Sequence, residues 1–84
     1  MIRMATYNIT VRSQGDGKIL REVSVTSLRK ARGCVAHLKR IYAEQERQSG
    51  FGEGKFNGDI AADSMIQSGI VTIELTHQYD LSKR

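Results

Sequence analysis

Eighty-four residues are enough for one domain, spanning 1–84, and not for two. A chain this short buries only about 60% of its extended surface, so a deep substrate cleft would consume much of its core. Its 39% apolar and 26% charged content is that of a folded domain rather than a disordered tail. The net charge of +4 (histidines neutral) sits in one place: from Ser27 to Gln48, six basic residues face two acidic ones, while the rest of the chain carries seven of each sign.

With a single cysteine, Cys34, no internal disulfide can form, which favours a reducing compartment and a cytoplasmic location. No apolar run nears the roughly 18 residues of a membrane span. Met1 to Ala5 lack a signal-type apolar core, so Asn8-Ile9-Thr10 reads as a chance glycosylation sequon.

Thr6 to Arg12 alternate strictly, placing Tyr7, Ile9 and Val11 on one face of a half-buried strand. Asp16-Gly17 marks a hairpin turn, and Ile19 to Val25 resume the alternation. There Ile19, Val23 and Val25 fall in phase, interrupted by Arg21. Thr26 and Ser27 are both good N-caps. From Leu28 the period becomes helical: Leu28, Ala31, Cys34, Val35, Leu38, Ile41 and Tyr42 share an arc of about 140°. Gly50 is a plausible stop.

Residues 49–58 hold four glycines in ten and form a loop. Residues 59–68 admit either a short helix capped by Asp59 or a strand turning at Gln67-Ser68-Gly69. The need for an antiparallel partner favours the strand. Ile70 to Thr76 are a strand with Val71, Ile73 and Leu75 in phase, and His77 to Arg84 extend it before fraying. The expected class is α+β, a 3–4-stranded antiparallel sheet with one amphipathic helix on one face, in the order β-β-α-(β)-β. The opposite sheet face (Thr6, Asn8, Thr10, Arg12, Thr72, Glu74, Thr76) is polar and reads as solvated.

Arg29, Arg32, Lys39, Arg40 and Arg47 lie within about 100° of one another, opposite the apolar arc, with Glu44 and Glu46 flanking them. Arginines along one helix face match a phosphate backbone, since each guanidinium offers paired donors to phosphate oxygens. A solvated, solubilising helix surface accounts for the same pattern. The glycine loop offers Phe51, Lys55 and Phe56 as further contacts; the bland alternative folds at least one phenylalanine back over the core. It is no Walker loop, because Phe56 follows Gly54-Lys55, and Lys55 stands where a dinucleotide fingerprint needs glycine.

Cys34 and His37 form a C-x-x-H pair, and His77 is the other histidine. The donors are too few for a zinc site, and Cys34 points into the apolar arc, so it reads as a buried hydrophobe. Asp59 and Asp63 fit a cap and a solvent position. No catalytic constellation, metal site or cofactor motif is expected.

The strand, Asp-Gly-Lys turn, strand, Thr26-Ser27 cap and basic helix of the first half resemble, in layout, the small DNA-binding arm domain of tyrosine recombinases. They also resemble short phage-encoded proteins that act on host defence machinery, including anti-CRISPR proteins. The likeness is one of fold layout and transfers no residue roles. The expectation is a non-enzymatic binding module that docks onto nucleic acid or an anionic nucleoprotein through the basic helix. The alternative is a small stand-alone inhibitor or adaptor of a host protein complex, of the phage anti-defence kind. Strand-edge pairing leaves a homodimer open.

Overall fold

The computed structural model describes residues 3–50, 52–58, 60–61 and 63–81. Five elements follow one another: β1 (Arg3–Ser13), β2 (Ile19–Val25), α1 (Leu28–Ser49), β3 (Ser64–Gln67) and β4 (Val71–Leu81). The strands form one antiparallel sheet in the order β2-β1-β4-β3. The helix packs on one face of it, so the fold is the expected α+β arrangement.

Each connection has a local cause. In the first hairpin Gly17 adopts φ 75°, and the Asp16 carboxylate accepts the Lys18 N–H at 3.0 Å. Of the two candidate caps, Ser27 takes the position, with extended backbone and its hydroxyl accepting the Lys30 N–H at 3.1 Å. The helix ends at Gly50 in the left-handed conformation, donating its N–H back to the Arg47 carbonyl.

The core is Ile9 and Val11 of β1, Val71, Ile73 and Leu75 of β4, Ile66 of β3, and Ala31, Val35, Leu38 and Tyr42 of the helix. The helix backbone lies close to β1, β2 and β4 but not to β3. One helix about 10 Å wide cannot span four strands at about 4.8 Å spacing. Phe56 and Ile60, from the segment between α1 and β3, pack against the core and complete its cover. Asn57 also exchanges backbone hydrogen bonds with Gln67, at 2.9 and 3.4 Å, pinning that segment to β3.

Two sequence expectations change. Among the described residues of the ambiguous 59–68 stretch, the strand covers Ser64–Gln67; Asp59 and Ala62 lie outside the described residues. Ile19 also leaves the core face. The register slips between Val11, opposite Arg21, and Arg12, opposite Ile19. This bulge absorbs one residue, and a one-residue slip exchanges the faces. Ile19 is 49% exposed as a result, and Leu20 beside it is equally exposed. The outer sheet face carries polar pairs, with Arg12 Nε 2.9 Å from Glu74 Oε1 and the Ser24 hydroxyl donating to Asn8 Oδ1 at 2.7 Å.

Candidate nucleic-acid interface

Ala31, Val35, Leu38, Tyr42 and Glu46 make one continuous buried row, in steps of three and four residues. Relative to that row, Arg29, Arg32, Lys39, Arg40 and Arg47 centre about 110° away at ideal helical geometry. The cations therefore occupy one flank of the helix rather than the side diametrically opposite the core. Arg29, Arg32 and Arg40 are exposed and Lys39 is half-buried. None of the four, nor Lys55, has an ion-pair partner among the described residues. Arg47 differs: its Nη2 lies 3.1 Å from Glu44 Oε2.

The glycine loop decides how much of this flank stays open. A Cβ built on Gly54 would fall 2.5 Å from the Ala43 carbonyl oxygen and 2.9 Å from Arg47 Nη1. The loop backbone thus lies directly against the last helical turns and buries Ala43, which sits among the cations on the helical wheel. The open stretch runs from Arg29 to Arg40, about 17 Å along the axis. Lys55 follows Gly54 and emerges, exposed, beside the closed end, as does the acidic Glu53. Phe56 is half-buried against the core and Phe51 lies outside the described residues.

Glu46 holds that loop. Only 3% exposed, its carboxylate accepts the Gly54 N–H through Oε2 and the Gly69 N–H through Oε1, each at 2.8 Å. It ties the helix to the loop and to the β3–β4 turn together. The Gly54 N–H bond is the main reason its pKa lies below the ordinary 4.5; burial works the other way, and Ser68, Gly69 and Ile70 add further donors. Helical spacing alone places Glu46 beside the cationic stripe. The signal for its inward turn was its position four residues after Tyr42, in phase with the buried row and followed by a run of glycines.

A second cluster lies at the end of the sheet where the helix begins. Asp63, at φ 62°, accepts the His77 backbone N–H at 3.1 Å, and its Oδ2 is 2.6 Å from His77 Nδ1. Nδ1 is buried against that carboxylate, in a geometry that makes no hydrogen bond. The His77 ring stacks on Tyr7, centroids 5.9 Å apart, and meets Tyr79 edge-on at 5.1 Å. Asp63 is exposed, as expected of a solvent position, and in addition anchors β4 through the His77 backbone N–H.

Cys34 is half-buried against the core and His37 is exposed. Among the described residues no three His, Cys, Asp or Glu side chains converge as a metal site, no pocket opens, and no helix is long and apolar enough to cross a membrane. No family model matches the chain, and no curated protein or solved structure matches it either.

Proposed function

We propose that the chain is a binding module that docks onto nucleic acid, or an anionic nucleoprotein surface, through the flank of α1 bearing Arg29, Arg32, Lys39 and Arg40. The observation carrying this reading is that all four cations lack an ion-pair partner among the described residues. The two helical carboxylates do not oppose them: Glu44 pairs with Arg47, and Glu46 turns inward to loop N–H groups. Unpaired guanidinium groups on a rigid helix are pre-arranged donors for phosphate oxygens, and each neutralised phosphate releases counterions.

The reading predicts electrophoretic retardation of DNA or RNA at low salt, with affinity falling steeply as salt rises. Arg32→Glu/Arg40→Glu weakens binding and lowers the log–log salt slope by about 0.9 for each duplex phosphate that is no longer neutralised. If no duplex or single strand is retarded at low salt, the proposal is wrong.

A small protein-binding inhibitor or adaptor is the second reading. It is favoured by β2, an edge strand on which Ile19 and Leu20 are exposed side by side. A stoichiometric protein partner that survives nuclease treatment in a pull-down, and is lost in Leu20→Lys, supports it. Loss of every partner with nuclease counts against it.

A further inference from the structure

We infer that the nucleic acid bound by this module is single-stranded, with a base stacked on Tyr79 and the adjoining phosphates held by Arg29 and Arg32. This deepens the reading above and rests on it.

Three placements carry the inference. The first is the exposed ring. Tyr79 is 54% exposed, on the face of β4 that also carries Ile73, Leu75 and His77 and on which the helix packs. It lies beyond the paired stretches of β2 and β3: the last β2 partner is Val25, opposite Tyr7, and the last β3 partner is Ser64, opposite Leu75. At the Ala5–Tyr79 pair the sheet is a two-stranded ribbon.

The second placement is the support behind the ring. Asp63 accepts the His77 backbone N–H and its carboxylate lies against the ring; His77 lies between Tyr7, stacked on it, and Tyr79, edge-on to it. A base arriving on the exposed part of Tyr79 therefore meets a ring already braced by His77, which reduces the ordering cost of binding.

The third is the charge. Helix α1 starts at Leu28, three residues after Val25, and Val25, Tyr7 and His77 lie in one row across the sheet. Four residues from Val25 to Arg29 reach at most about 14 Å. The first helical turns thus stand at the same end of the sheet as the rings and on the same side. The cationic flank also has a direction. At its far end it meets Gly54 of the segment leading to β3, so at its near end it faces the β4 side, where Tyr79 stands. An exposed aromatic ring at the same end and side of the sheet as unpaired arginines suits a strand whose bases are free to stack. In a duplex the base faces are buried in the helix and only the phosphates would be engaged.

The test is fluorescence anisotropy with a labelled mixed-sequence oligonucleotide, single-stranded or annealed to its complement, using the full chain. Single strand should bind more tightly than duplex. Tyr79→Ala should weaken single-strand binding about tenfold, the scale of removing one stacked base, and leave duplex binding unchanged. Tyr79→Phe should retain the affinity, since the ring and not the hydroxyl carries the stacking. Equal binding of both forms, or an unaltered single-strand affinity in Tyr79→Ala, overturns the inference. If both forms bind equally and both weaken with Arg32→Glu/Arg40→Glu, only the Tyr79 inference fails. If neither form binds, the basic-flank reading fails with it.

Discussion

Glu46 is the residue on which the helix's inner and outer chemistry divide. A carboxylate in the buried row would destabilise the fold if left alone, because a buried charge without donors is expensive. Here two backbone N–H groups meet it at 2.8 Å, from segments eight and 23 residues away in sequence. Those bonds hold its pKa below the ordinary 4.5, the Gly54 N–H contributing most. A group whose pKa is depressed by folding stabilises the fold at pH above its unfolded value. That contribution is lost as pH falls through the folded value. Thermal stability should therefore fall on acidification below about pH 4.5. Glu46→Gln should melt lower than the parent at neutral pH, because its amide N–H₂ faces a donor, and should show a shallower acid limb. Melting curves at neutral and acid pH compare the two. Parallel acid limbs would show that Glu46 is not part of the acid response.

At the level of elements, the glycine loop is shaped by its approach to α1. Gly54 combines a φ of 76° with a would-be Cβ 2.5 Å from the Ala43 carbonyl oxygen, while Gly17 has φ 75° and open space around it. The pair separates conformational cost from steric cost. Gly17→Ala should lose about 1 kcal/mol, the cost of holding a side chain in the left-handed region. Gly54→Ala should lose more than about 2 kcal/mol, because the obstructing atom is helix backbone. Urea midpoints measure both, and equal losses would mean that the loop does not press on the helix. The same loop marks where sequence stops being informative. The helix, its serine cap, the first hairpin and the core positions of β1 and β4 follow from periodicity and local hydrogen bonding, and all are visible in sequence. The cationic stripe is visible too, because helical spacing alone assembles it. The bulge that turns Ile19 outward is not, since it depends on register against β1. The burial of Ala43 beneath Gly54 and the inward turn of Glu46 depend on the approach of distant backbone, for which residue type gives only a weak signal. For the same reason Asp63, His77 and Tyr79 read separately as ordinary polar and strand positions.

The molecule as a whole is long and thin, 53 × 24 × 16 Å. Its radius of gyration of 14.3 Å exceeds the roughly 12 Å of a compact domain of this length. A single helix and one loop segment cover one face of the sheet, the outer face is polar, and β1 and β4 run on together past both neighbours. Stability must therefore vary along the strands. Backbone around Ile9, Val11, Ile73 and Leu75 lies over the fully buried core with strands on both sides, and opens only with the whole fold. Backbone at Ala5, Thr6, Gln78 and Tyr79 belongs to the two-stranded ribbon and opens locally. Native-state hydrogen exchange should show protection falling steeply from the first group to the second, with the first group sharing one opening free energy equal to that of global unfolding. Added single-stranded oligonucleotide should slow exchange at the ribbon more than at the hairpin end around Gly17. Uniform protection along β1 and β4 would mean that the ribbon is held as firmly as the core, and that this end of the sheet is a rigid platform before any ligand arrives.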